Sequence, residues 1–487
     1  MRWCAQVGQQ RGRYIVVDSL PPVQSAKVTT DPDVLSAYRE DASHVVGSPD
    51  GLVRPESAEE AAAFLAEARE KGIPVTPCGL RSSTTGAGLA PRGWALSTER
   101  MTGVESIDTA RRVAVVRAGT VLRDFKDEVE AAGLFYPPDP TSERECAIGG
   151  TVACDASGAR SFRYGATHRW IRALEVALPD GSVRWYRRPV IGKDAAGYVA
   201  LRDPVRLFCG SEGTLGVVTQ VEVDLLVKPE AFSAGLAFFD DVPAALSFVG
   251  AARLPQAPVT PRCLELLDRS ALRIMADQKS GVAIPEEAGA AVFFEEEHPA
   301  GAEMGVMESW WVLLSGSPGA LADDTVIAAD HNQQDALRRL RHAVPATLNE
   351  EGRGFHGAGG KKISTDWAVP FEALAPFMVE VDGWLTEAGI QRVARYGHVG
   401  DGHPHYNLIV KDEEEAARAA VVVDRMCRRA CDLGGTVTAE HGIGKVKRDY
   451  AKYRFAPWQV SAMKAVKAIF DPTGMMAPGN IWDEPVG

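Results

Sequence analysis

The sequence predicts an α+β protein of two domains, and three observations predict it. A chain of 487 residues exceeds one ordinary hydrophobic core. As far as residue 226, short apolar runs bounded by turns alternate with single amphipathic helices. From about residue 230 the texture changes to helices rich in alanine and arginine, interleaved with further strands.

Residues 1 to 20 read as a short extension, and Asp31 with Pro32 opens a helix containing Val34, Leu35 and Tyr38. SAEEAAAFLAEAREKG has a capping serine, a glutamate three residues on and a stop at Gly72, so it reads as an amphipathic helix. IPVTP is then a strand and CGLRSSTTGAG a loop. VLRDFKDEVEAAG is a second helix with a glycine stop, and VRLFCGSEGTLGVVTQVEVDLL runs from a glycine-rich turn into an alternating strand. Beyond the boundary, DDTVIAADHNQQDALRRLRHAV is expected to be helical, and WWVLLSG and RYGHVGDGHPHYNLIV to contain strands. The tail, WQVSAMKAVKAIFDPTGMMAPGNIW, is a helix stopped at Asp471-Pro472 and followed by an extended segment.

Composition narrows the function classes. With 53 basic against 65 acidic residues, a net charge of -12 and no long basic run, nucleic acid is not an expected partner. Eight cysteines without a CxxC pair offer no zinc or iron-sulfur framework, and Cys427 and Cys431 read as helix residues one turn apart. No secretory signal and no transmembrane run is found, so a cytoplasmic protein is expected.

Three loops combine glycine with hydroxyl residues: PCGLRSSTTGAGLAP at 77 to 91, PPDPTSERECAIGGTVACDASGARSFRYG at 137 to 165, and GSEGTLG at 210 to 216. Backbone N–H groups in such loops converge on an anion without side-chain obstruction. None matches the P-loop or the GxGxxG fingerprint. Together they imply a long, phosphate-bearing ligand.

In order and spacing, the hydroxyl-rich loop, PPDPTS, AIGG, RYG and GSEGTLGVVT resemble the FAD-binding (PCMH-type) domain of the vanillyl-alcohol oxidase family. GHVGDGHPHYN, AEHGIGKVK and FDPTGMMAPGNI resemble its branch of glycolate oxidase, D-lactate dehydrogenase and D-2-hydroxyglutarate dehydrogenase. The resemblance implies an FAD-binding domain at 45–228 after an N-terminal part at 1–44, a substrate (cap) domain at 229–435, and a C-terminal segment, 436–487, that returns to the site. It places FAD against Pro77, Gly79, Arg81, Ser82, Ser83 and Gly86 in the first loop. In the second it implicates Pro138, Ser142, Gly149, Gly150, Gly158 and Tyr164, and in the third Glu212, Gly216 and Val218. Arg81 stands where glycine is common, Thr151 where asparagine is usual, and Ala477 replaces an asparagine before Pro-Gly. The first loop has no histidine, so noncovalent FAD is expected.

In a strand HPHYNLIV the side chains alternate, placing His403, His405 and Asn407 on one face and Tyr406, Leu408 and Val410 on the other. The turn GDG folds His398 back beside His405, and TVTAEHGIGK is expected to offer Glu440 and His441 from a second strand. Two histidines and a carboxylate suit a divalent ion, zinc or manganese among them, although histidines in strands also serve as hydrogen-bonded core residues. The resemblance implies His398, His405 and Glu440 as metal ligands. His403 occupies a position often held by asparagine and is left outside the ligand set. His441 is the expected base, Arg341 the cation for a substrate carboxylate, and Asn407 a substrate or ligand-orienting contact.

The expected function is an FAD- and metal-dependent dehydrogenase that oxidises a small D-2-hydroxy acid. Its electrons would pass to an external quinone, electron-transfer flavoprotein, cytochrome or oxygen. Rival readings are a flavin-carrying relay protein without substrate chemistry of its own, a family oxidase acting on another alcohol, and a metallohydrolase with structural glycine loops.

Overall fold

The computed structural model describes residues 27–43, 45–278, 282–328 and 330–482. The extension expected at residues 1 to 20 lies outside them. Among the described residues the strands form sheets of four, five and seven strands and a two-stranded ribbon. The α+β class is what the chain adopts.

The four-stranded sheet holds Gly51–Arg54, Val75–Cys78 and Trp94–Ser97 in parallel, with Lys27–Thr29 antiparallel at one edge. Parallel neighbours need a crossover. The helix Ala58–Glu70 carries the chain from Gly51–Arg54 to Val75–Cys78, and the loop 79–93 brings it back to Trp94–Ser97 between them; the helix is opened by the Ser57 hydroxyl, which accepts from the Glu60 N–H. Its buried face, Ala61, Phe64, Leu65 and Ala68, follows the helical repeat and packs on Val53, Val75 and Leu96. The first helix, Pro32–Ser36, is capped by Asp31 but ends before Tyr38.

The five-stranded antiparallel sheet runs Val104–Asp108, Val113–Arg117, Val217–Asp224, Ile171–Ala177, Val183–Arg187. Its core joins Val116, Leu174 and Val221 to Phe125 and Val129 of the helix Leu122–Ala131.

The seven-stranded sheet is antiparallel, in the order Ala320–Ala328, Ala231–Phe239, Ala290–His298, Pro261–Asp268, Val393–His398, His403–Asp412, Gly359–Ser364. Both of its faces are covered. Helices Val242–Ala252, Glu303–Ser315, Phe371–Glu387 and Glu413–Asp432 pack on one, and Arg269–Ala276 and His331–Arg353 on the other.

Two expectations fail here. WWVLLSG is not a strand but the end of the helix Glu303–Ser315: Trp310 and Leu314, one turn apart, are buried while Trp311 and Val312 face solvent. Trp310 stacks on Phe294 with ring centroids 3.9 Å apart, which fixes the helical period. DDTVIA is a strand rather than helix, because its run of β-branched residues pairs with Ala231–Phe239, and helix begins only after Asp330, whose side chain accepts from the Gln333 N–H. No described helix is long and apolar enough to cross a membrane.

Candidate active site

The hairpin of Val393–His398 and His403–Asp412 turns through Val399–Asp401 and Gly402, pairing His398 with His403 and Tyr396 with His405. Tyr406, Leu408 and Val410 enter the core on one face. His403, His405 and Asn407 share the other, on the side of the helix His331–Arg353. Gly397 has φ +124°, and a Cβ there would stand 2.7 Å from His405 Cδ2, so only glycine lets that ring lie across the strand.

His398, His403, His405 and His441 surround the Glu440 carboxylate, each presenting one nitrogen to it. His398 Nε2 is 2.9 Å from Oε1 and His403 Nδ1 3.9 Å. His405 Nε2 is 3.7 Å from Oε2 and His441 Nε2 3.9 Å. The outer nitrogens meet acceptors: His398 Nδ1 bonds Glu265 Oε1 at 2.5 Å, and His405 Nδ1 bonds the Thr365 carbonyl at 3.0 Å. His403 Nε2 lies 3.3 Å and His441 Nδ1 3.5 Å from the two oxygens of Asp366.

Electrostatics divides the rings. Burial, followed by the neighbouring His403 ring, pushes the His405 imidazole down to about 3, so at neutral pH it is uncharged with a lone pair on Nε2. At His398 burial acts in the same direction, but Glu265 and Glu440 on either side outweigh it and hold the ring well above the ordinary histidine value. Burial would raise the Glu440 carboxyl, yet His398 and the other rings keep it far below its usual range. A place between two carboxylates and beside a neutral imidazole favours a cation. One donor atom each from His398, His405 and Glu440 lies within 4.8 Å of the others, and the same is true of Asp366, His403 and His405 and of Asp366, Glu440 and His441.

Glu440 and His441 do not lie on a strand, contrary to expectation. TVTAEHGIGK is an irregular loop: Thr436 makes a single bridge to Ala368, and beyond it two carboxylates hold much of the backbone. Asp366 accepts from the N–H groups of Glu440 at 3.2 Å and His441 at 3.1 Å, and from the Thr438 hydroxyl and the Lys447 ammonium. Glu212 accepts from the N–H groups of Ile443 at 2.6 Å and Gly444 at 2.7 Å. Gly444, at φ +53°, approaches Thr85 so closely that a Cβ would meet the Thr85 carbonyl at 2.3 Å.

Glu440 and His441 also line a cavity of 550 Å³, within the usual range for small-molecule sites. Pro77, Gly79, Arg81, Ser82 and Ser83 form part of its wall. So do Ser142, Gly149 and Gly150 from the second loop, and Glu212, Gly216 and Val218 from the third. At Gly150 an added Cβ meets nothing within 4 Å, so a side chain there would fill space that the cavity leaves for a ligand. Gly86, Pro138, Gly158 and Tyr164 stand off the wall. The Gly86 and Pro138 carbonyls accept from Lys445 and Lys126, Gly158 abuts Asp139, and the Tyr164 hydroxyl bonds Glu297.

Arg341 is likewise off the wall. Its Nε and Nη2 both bond Glu265 Oε2, forming a chain Arg341, Glu265, His398, Glu440. Asn407 is fully buried, donating to the His405 carbonyl at 3.4 Å, with its Oδ1 3.5 Å from the Tyr396 hydroxyl.

Residues 228–481 match the family model "FAD linked oxidases, C-terminal domain", and residues 49–187 match "FAD binding domain". The chain belongs to the FAD-linked oxidases. Glycolate oxidase subunit GlcD of Bacillus subtilis (strain 168) is 30% identical over 443 residues, covering 89% of each chain. D-2-hydroxyglutarate dehydrogenase of Stutzerimonas stutzeri (strain A1501) is 29% identical, covering 94% of this chain and 97% of the relative. In fold the chain is similar to 4-ethylphenol oxidase from Gulosibacter chungangensis, with a TM-score of 0.71 at 18% identity over 94% of this chain and 95% of that one. This FAD-linked oxidase is therefore an FAD-dependent oxidoreductase of the group that includes glycolate oxidase subunit GlcD, D-lactate dehydrogenase and D-2-hydroxyglutarate dehydrogenase.

Sequence reading missed Glu265 and Asp366, the two acids behind the imidazoles. Glu265 carried a signal: it is the one acid inside CLELL, a run whose every residue is buried in the strand Pro261–Asp268. Asp366, in STDWAVP, carried none. Also missed was His342, on the cavity wall one residue from Arg341.

Proposed function

We propose that this enzyme oxidises a D-2-hydroxy acid to the 2-oxo acid, with FAD held noncovalently in the cavity and a divalent ion, zinc or manganese, held by His398, His405 and Glu440. The observation that carries this reading is the position of Glu440, which closes the ring of imidazoles and lines the flavin-sized cavity beside His441. When bound, the flavin accepts a hydride and the ion stabilises an alkoxide.

The chain's own residues supply the rest. Burial lowers the His441 imidazole and outweighs the nearby Asp366, so its neutral form prevails at pH 7 and Nε2 accepts the C2 hydroxyl proton. Asp366, 3.5 Å from Nδ1, holds the ring in that orientation. Arg341, its plane fixed by Glu265, is the candidate for the substrate carboxylate, with Nη1 outside the ion pair. Asn407 holds the His405 backbone. In this reading residues 45–228 hold the flavin, 229–435 face its reactive side and 436–487 return with Glu440 and His441, while electrons leave to an external acceptor.

The test is turnover of a panel of D-2-hydroxy acids with a dye acceptor, run on protein assayed for flavin and metal. His441→Ala should keep the flavin and lose turnover. Failure of every substrate while FAD and metal are both bound would overturn the reading in favour of a relay protein.

A further inference from the structure

We propose that the helix Pro457–Phe470, with the cations beside it, docks this enzyme on an anionic membrane surface. The inference is independent of the proposed function and rests on the outer surface alone.

The helix is laid on the protein with its apolar side outward. Lys467 is its one buried residue, and Val466 and Phe470 rest against the core of the five-stranded sheet. On the opposite side Trp458, Ala462, Ala465 and Ile469 follow the spacing i, i+4, i+7, i+11 and form one stripe. All four are exposed, Trp458 by 70% and Ile469 by 77%. Single exposed apolar side chains are ordinary, but a stripe along about 20 Å of helix is a surface that lacks its cover.

Charge decides what covers it. From Tyr450 to Phe470 the chain has four basic residues and no acidic one, although its net charge is -12. Lys467 is spent inside. Lys452, Arg454 and Lys464 are exposed, and none has a carboxylate partner among the described residues. Lys452 and Arg454, six and four residues before Trp458, lie 5.0 Å and 5.4 Å from the ring centres of Tyr453 and Phe455. A second copy is a poor cover. Two-fold pairing of this face sets its unpaired cations against their own duplicates, and pairing with an acidic face elsewhere makes a head-to-tail contact that need not close. An anionic lipid surface meets both halves of the pattern. Trp458 and Ile469 enter the boundary between headgroups and acyl chains, and the three cations lie among the headgroups. All 65 acidic residues lie outside this stretch, so the rest of the molecule is repelled and only this face settles.

The test is flotation of the FAD-loaded protein with vesicles of phosphatidylcholine, with and without phosphatidylglycerol. The protein should float with the anionic vesicles, release in about 0.5 M salt and ignore the neutral ones. Replacing all three cations, Lys452→Gln, Arg454→Gln and Lys464→Gln, should weaken binding about 100-fold, roughly fivefold for each. Trp458→Gln with Ile469→Gln should weaken it at least about tenfold, and both variants should keep their flavin. A wild type that does not float, or flotation that either variant leaves unchanged, overturns the inference. So does concentration-dependent dimerisation that Trp458→Gln with Ile469→Gln abolishes, because a second copy then covers the stripe. Should a variant lose its flavin, brominated acyl chains decide: they should quench the tryptophan fluorescence of the wild type more than that of Trp458→Phe, and equal quenching overturns docking by this helix.

Discussion

At His398 the nitrogen turned away from Glu440 is bonded to Glu265, and Glu265 is held in place by Arg341. Burial would raise that carboxyl, but Arg341 and His398 hold it at about 2, so it is an anion at any working pH. Glu265→Gln keeps the shape and removes the charge that orients and polarises the ring. Metal affinity should fall roughly 10–100-fold with flavin content unchanged, measured by chelator competition. A second residue-scale prediction concerns Arg81, which takes φ +61°. Such a backbone costs about 1–2 kcal/mol for a residue with a Cβ. Offsetting contacts exist, since the guanidinium lies 4.1 Å from the centre of the Tyr38 ring, yet Nη1 has no hydrogen-bond partner, 3.8 Å from Glu99. Arg81 also lines the cavity, where its charge would favour a phosphate. Arg81→Ala should therefore weaken FAD by about 1.5–3 kcal/mol, the value of a charge-assisted hydrogen bond, read from the recovery of fluorescence by released flavin.

Among the elements, the tail shows how a segment distant in sequence is brought to the cavity. The last turn of the helix Pro457–Phe470 carries Lys467, whose buried ammonium donates to the Thr214 carbonyl at 3.1 Å, to Asp471 at 2.9 Å and to the Met476 carbonyl at 2.9 Å. Met475 and Ala477 then bond the backbone of Val75, in the strand that leads into the first glycine loop. Lys467→Met leaves the buried Asp471 without its cation, held only by the Thr473 hydroxyl and the Met475 and Met476 N–H groups, which should cost about 3 kcal/mol and lower the temperature at which flavin is released, followed by its fluorescence. The stop at Asp471-Pro472 was legible in the sequence, as was the capped helix at Ser57, because caps and breakers act locally. The alternation of HPHYNLIV was legible too, since a period of two needs only one buried face. WWVLLSG and TVTAEHGIGK were not. The first opens with five apolar residues and carries no period until Phe294 claims Trp310, and the second makes a single bridge, Thr436 to Ala368, before carboxylates from positions 212 and 366 hold its backbone. Long-range acids of this kind leave no local mark.

For the whole molecule the issue is how the flavin-binding half and the seven-stranded half stay in register. One joint is Glu295, bonded by Arg262 and Arg338 from its own half and by Arg160, which also faces Asp139, from the other. These cations outweigh burial and hold Glu295 well below the usual carboxylate range, so the joint weakens only when strong acid protonates it. The other joint is Glu212, from the GSEGTLG loop, which accepts the Ile443 and Gly444 N–H groups of the loop that carries Glu440 and His441. Lys445 and Asn480 tie the same corner to Gly86 and Ala87. Here burial exceeds the hydrogen bonds, and the Glu212 carboxyl is pushed up to about 7. A folded value raised above the unfolded one favours folding fully below the unfolded pKa, and the contribution is lost as pH rises through the folded value. Ionisation of Glu212 therefore subtracts stability as pH rises toward about 7, by up to about 1.4 kcal/mol per pH unit and on the order of 3 kcal/mol in all. Glu212→Gln cannot ionise. The variant starts lower, because its amide sets an NH₂ against one of the two backbone donors, but its melting temperature should change less with pH across this interval than that of the wild type. Parallel melting curves for the two proteins would contradict this account of the joint.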